Sequence, residues 1–106
     1  MKTAKRKKLE AAGWSVGDAK DFLGLTPDEA AFVEIKLDLA RRLRALREQR
    51  NWTQAELAKR VGSSQSRIAK MEAADPTVSV DLLVRSLLAA GANRADLGRV
   101  VGAKSR

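Results

Sequence analysis

The residues best suited to chemistry in this sequence are hydrogen-bonding rather than reactive. Between Thr53 and Ala73, in TQAELAKRVGSSQSRIAKMEA, the side chains of Gln65, Ser66, Arg67 and Lys70 set an amide, a hydroxyl and two cations close together. The amide offers a donor and an acceptor on one fork, the hydroxyl offers both on one atom, and the cations only donate. Such a set can read base edges and neutralise phosphates. It has little to offer a covalent reaction. The chain contains no cysteine and no histidine, which excludes disulfides, thiolate nucleophiles, Ser-His-type triads and the usual zinc or haem ligands. Carboxylates and lysines remain, but no pair of them stands out in a pocket-forming context. The expectation is a protein that is not an enzyme and uses no cofactor or metal.

Composition sets the frame for that cluster. The chain has 106 residues, 44% of them hydrophobic, and four aromatics, Trp14, Phe22, Phe32 and Trp52. A core made mostly of Leu, Val, Ile and Ala suits helices better than strands. Lys and Arg number 21 against 13 acidic residues, a net charge of +8. An excess of this size favours a polyanionic partner but says nothing about sequence specificity. No apolar stretch approaches the roughly 18 residues that span a bilayer. MKTAKRKK is basic like the start of a signal peptide, but LEAAGWSVGD follows it in place of an apolar stretch. No membrane association is expected, and the expected location is cytoplasmic, on the nucleoid.

The elements that must hold the cluster are all helical. Thr26-Pro27-Asp28-Glu29 combines an N-cap, a proline at the first helical position and a capping-box partner. From there Val33, Leu37, Ala40 and Leu43 recur at helical spacing, with Phe32, Ile35, Leu39 and Leu46 widening the stripe to about Arg50. Arg41, Arg42, Arg44 and Arg47 crowd the second half of this helix, and a solvated basic face accounts for some of them. Thr53 caps a helix from Gln54 to Arg60, closed by Gly62. Ser63 is expected to cap the next, from about Ser64 to Ala73, with Asp75-Pro76 ending it. Ser79 caps Val80 to Ala90 with Gly91 closing, and Asn93 caps a last short helix with Asp96 in its first turn. Thr3 to Ala12 and a segment from Ser15 to Gly24 read as short helices. The opening KTAKRKK is either an arm that touches phosphates or a solvated tail. The organisation expected is therefore a basic, partly disordered extension over 1–25, a domain over 26–101 and a tail over 102–106.

Two short helices joined across Gly62-Ser63 fit the helix-turn-helix plan. Leu57, Ala58 and Val61 face inward from the first, and Ile68 and Met71 from the second, which leaves Gln65, Ser66, Ala69 and Lys70 outward or on the flank. The outer face is neutral or positive, as a helix entering a major groove requires. A polar helix face that binds nothing is the alternative. Trp52 is expected to plug the core between the long helix and the first motif helix.

This stretch resembles the helix-turn-helix of the Cro/C1-type (XRE, lambda-repressor-like) transcriptional regulators, through Thr53-Gln54, Glu56-Leu57-Ala58, Gly62-Ser63, Ile68 and Glu72 taken together. The flanking helices extend the likeness over roughly residues 33–90. The segment GWSVGDAKDFLGLTPDEAAFVEIKLDLA further resembles small bacterial regulators that include HigA-like antitoxins. The resemblance implies an all-α, lambda-repressor-like five-helix domain with a short helical N-terminal extension. It implies a repressor of double-stranded DNA, binding a palindromic operator as a homodimer. In the antitoxin subgroup the chain would autoregulate its operon and neutralise a RelE-like toxin in a HigB/HigA-type pair. A phage or stand-alone regulator, or a module that only binds protein, stays open beside that role. By the same resemblance Gln54 would touch a phosphate, Ser64, Gln65 and Ser66 would face base edges, and Lys70 would meet guanine or a phosphate. Arg67 would contact backbone, and Arg47 and Glu72 would form a buried structural ion pair. One departure stands out: Glu72-Ala73-Ala74 replaces the family's E-x-G, so either the turn differs or Ala74 is strained. The last third, Leu82, Leu83, Leu87, Leu88, Leu97, Val100 and Val101, carries more apolar surface than two short helices can hide, and is the expected dimer interface.

Overall fold

The computed structural model describes residues 24–102. The basic segment, the two short helices expected ahead of Thr26 with Trp14 and Phe22, and the last residues of the tail lie outside that range. The chain divides into two compact units, residues 1–35 and 36–106. The described residues form five helices and no strand: α1 (Pro27–Gln49), α2 (Gln54–Val61), α3 (Gln65–Glu72), α4 (Val80–Ala89) and α5 (Arg94–Gly102). No described helix is long and apolar enough to cross a membrane.

Each helix begins where its sequence provides an acceptor for its first free N–H groups. Thr26 Oγ1 accepts from Glu29 N (3.2 Å) while Glu29 Oε1 accepts from Thr26 N (2.9 Å). Thr53 and Glu56 repeat the box at α2, at 3.0 and 2.7 Å. Asn93 and Asp96 repeat it at α5, at 2.9 and 3.0 Å. Ser64 and Ser79 cap α3 and α4 singly, accepting from Arg67 N and Leu82 N.

Four of the helices also end alike. A residue with positive φ follows the last turn, and the next N–H reaches back five residues: Trp52 N to Arg47 O, Ser63 N to Ala58 O, Asp75 N to Lys70 O and Ala92 N to Leu87 O, all between 2.8 and 3.1 Å. This is the paired-bond ending that takes up otherwise free carbonyls. The left-handed positions are Asn51 (φ 59°), Gly62 (φ 71°), Ala74 (φ 52°) and Gly91 (φ 112°). Ala74 therefore keeps the turn that glycine makes elsewhere in the chain, and carries the strain. Lys36 Nζ donates to Asp75 O at 3.2 Å, fastening that turn to α1.

One expected cap moves by a residue: Ser63 closes α2 with its N–H, and it is Ser64, in extended geometry (φ −109°, ψ 157°), whose hydroxyl caps α3. The Ser63 hydroxyl oxygen is instead shielded from solvent with no hydrogen-bond partner.

In the unit from Lys36 onward, the core is a single cluster. Leu39, Leu43, Leu57, Ile68, Met71, Leu83 and Leu87 are its fully buried side chains. Leu83 and Leu87 are 0% exposed, so they pack inside one chain and present nothing to a second; their expected place in a dimer interface is corrected. At the N-terminal end of α1, Phe32 is 56% exposed although it is in phase with Leu39, and the members of the expected stripe are buried only from Leu37 on. Trp52 is not a core plug. It is half-buried, with the guanidiniums of Arg60 and Arg50 over its ring at 4.2 and 5.3 Å from the centroid. A ring whose face attracts cations is better placed at the edge, where those cations keep their water.

Candidate nucleic-acid interface

α2 and α3 pack against each other across the Gly62 turn, with Leu57 and Ala58 buried on one and Ile68 and Met71 on the other. With Ile68 and Met71 turned inward, the opposite side of α3 must face out. Gln65, Ser66, Arg67 and Lys70 are all exposed, as is Ser64 at the helix start. Nothing acidic lies in the first turn of α3. The expected outward ridge is therefore present and positive.

Behind this ridge runs a chain of hydrogen bonds from α1 through α3 and α2 and back to α3. Arg47 binds Glu72 with two nitrogens, Nε to Oε2 at 2.6 Å and Nη2 to Oε1 at 3.1 Å, and its Nη1 donates to Trp52 O at 3.0 Å. The two side chains are 14% and 6% exposed. The carboxylate, accepting these bonds, holds the Arg47 guanidinium above its already high ordinary pKa. Gln54 Nε2 donates to Glu72 Oε1 at 3.1 Å, and Gln54 Oε1 accepts from Gln65 Nε2 at 2.8 Å.

The direction of this relay is fixed by chemistry. An ionised carboxylate can only accept, so Gln54 must turn its NH2 toward Glu72 and its carbonyl toward Gln65. Gln65 must then present its own NH2 to Gln54. What stays free on Gln65 is its carbonyl oxygen and the second N–H. That is one acceptor beside one donor, the pair that adenine N6 and N7 require in a major groove. The carboxylate of Glu72 thus sets the orientation of a side chain it does not touch.

The remaining expected site residues distribute as follows. Gln54 is half-buried, and its amide is committed to Glu72 and Gln65, which leaves one N–H and the start of α2 for a phosphate. Of the crowded arginines on α1, Arg41 and Arg44 are exposed and pair within the helix, with Asp38 and Glu48. Such pairs contribute at most about 1 kcal/mol. Arg47 alone turns inward to the relay. In the last third, Leu82, Leu97 and Val100 are half-buried, while Leu88 and Val101 are 44% and 50% exposed. No residue of α5 is buried. Sequence reasoning missed the relay, and the signal for it was faint: two glutamines and a glutamate, each opening or closing a short helix.

The helix-turn-helix domain family matches residues 38–102, more than half of the chain. No curated protein and no solved structure matches. The matched span takes in the turn at Gly62, the exposed ridge of α3 and the Arg47–Glu72 brace behind it, and the chain belongs to the helix-turn-helix domain family of DNA-binding folds.

Proposed function

We propose that the chain is a sequence-specific transcriptional repressor that lays α3 in the major groove of double-stranded DNA. The observation that carries this reading is the exposed Gln65, fixed by Gln54 with one donor and one acceptor left free. Gln65 is assigned to an adenine, Ser64 and Ser66 to neighbouring base edges, and Lys70 to a guanine or a phosphate. Gln54 and the start of α2 are assigned to a phosphate.

One α3 reads only a few base pairs, so the acting form is a homodimer on a palindromic operator with half-sites about 34 Å apart. The incompletely covered Leu82, Leu88, Leu97, Val100 and Val101 support a dimer through α4 and α5. The location follows as cytoplasmic, on the nucleoid. The antitoxin role, with a RelE-like toxin as second partner, rests on the resemblance of residues 13–40. Co-purification of the protein with the product of a neighbouring reading frame tests it separately.

The deciding experiment selects binding sites from random duplexes and compares the chain with Gln65→Ala. The variant should lose about 1–3 kcal/mol on the selected site and relax one position of it, with non-specific binding unchanged. Equal weakening on all duplexes would remove Gln65 from base reading.

A further inference from the structure

α3 has two flanks, and only one is served by Gln54. At 3.6 residues per turn, Arg67 stands about 200° round the helix from Gln65, on the opposite side. There the surface falls into two adjoining hollows. The first is lined by Ser64, Arg67, Lys70 and Thr77 among others. The second shares Ser64 and Arg67 and adds Arg85 and Ser86 from α4. Among the described residues, none that is acidic lines either hollow. Arg67 and Lys70 have no ion-pair partner among the described residues. Two carboxylates lie near. Asp75 is turned onto its own loop, accepting from Thr77 N at 2.9 Å and Thr77 Oγ1 at 2.7 Å. Asp81 is 3.6 Å from Arg85, with both side chains 76% exposed.

A major groove about 12 Å wide closes on a helix about 10–12 Å across, so a docked α3 has a sugar-phosphate backbone on each side. Gln54 and the start of α2 lie toward one strand. The geometry points to Arg67 and Arg85 as the seat of the other strand: a phosphate track that runs past α3 onto α4 and contributes affinity without reading sequence. This rests on the proposed DNA binding and extends it to a helix that motif reasoning leaves out. In the free protein Asp81 occupies Arg85, and a phosphate takes its place on docking.

The test measures affinity of the full chain for a selected site and a random duplex across a salt series, with Arg85→Gln and Asp81→Asn. Each phosphate contact contributes about 0.9 to the slope of log affinity against log salt. Between 50 and 200 mM salt the unaltered chain should therefore lose about 3.5-fold more affinity than Arg85→Gln, on both duplexes alike. Asp81→Asn should tighten binding to both by about two- to five-fold, the reach of an exposed ion pair. Both variants should keep a cooperative thermal transition, Arg85→Gln close to the parent because Arg85 is exposed, and Asp81→Asn lower by a few degrees because Asp81 sits in the first turn of α4. If the parent binds DNA but Arg85→Gln leaves the slope unchanged, or weakens the selected site alone, the track is overturned and the base-reading assignment survives. If the parent binds no duplex in a salt-dependent way, both readings fall.

Discussion

Replacing Glu72 with methionine tests the brace behind the exposed ridge of α3. The substitution removes three hydrogen bonds from a carboxylate that is 6% exposed, two from Arg47 and one from Gln54. It leaves the Arg47 guanidinium charged, 14% exposed and holding only Trp52 O. Breaking one side of a buried pair costs about 3–5 kcal/mol, and the residual exposure of Arg47 places this case near 3. That is a large share of the roughly 5–15 kcal/mol that holds a domain together. For a domain of this size it corresponds to a fall of roughly 12–24 °C in Tm. Arg47→Met should cost a similar amount for the complementary reason. The double variant should cost much less than the sum, because a well-packed apolar pair replaces a buried ion pair at little net cost. Urea unfolding followed by circular dichroism supplies the four free energies of the cycle. If the two single costs simply add in the double variant, the pair is not coupled, and the reasoning from burial and bidentate geometry fails.

The remaining predictions concern orientation, strain and pH. Glu72→Gln keeps the shape but lets the amide of Gln54 bind in either direction, so Gln65 loses its fixed polarity; preference for its base should weaken in a site-selection assay while affinity for random duplex holds. Ala74→Gly relieves about 1–2 kcal/mol of left-handed strain but gives up a buried methyl worth about 0.8 and frees the unfolded chain by about 0.4–1. The net change should lie within about 1 kcal/mol of zero, and a loss beyond about 2 in urea unfolding would mean that the Ala74 methyl anchors the turn. Asp96 is held below its ordinary pKa of 3.8, first by the Asn93 N–H and then by the charges of Arg99 and Arg42. A depressed carboxylate contributes stability that is present above its unfolded pKa and lost as pH falls through the folded value. The cap of α5 should therefore hold at neutral pH and weaken only below about pH 4, and Asp96→Asn should remove that acid step from a helicity titration.

Local chemistry made much of this legible beforehand. The box at Thr26, the caps at Thr53 and Asn93, the turn at Gly62 and the inward pair Ile68 and Met71 are decided by residues within four positions of one another. The outward ridge of α3 follows from that pair alone. What escaped was set by longer reach. Ser64 rather than Ser63 caps α3, because the ending of α2, closed by a bond that spans five residues, runs through Ser63 before the chain turns extended at Ser64. Gln54 meets Glu72 and Gln65 across separations of 18 and 11 residues, and no periodicity reports such meetings. Leu83 and Leu87 share their apolar character with Leu82 and Leu88, and only the packing says which two are interior.

The connectors differ in one respect that bears on how such a domain can diversify. Three of them are consumed entirely by a closing bond and the next cap, so an added residue would rotate the following helix by about 100° and turn its apolar face to solvent. Ala73 to Ser79 alone has spare length, and it leaves directly from α3. Insertions there should be the cheapest way to reshape the protein's grip on its target, whereas a change of length at Gly62-Ser63 should be lethal to the fold.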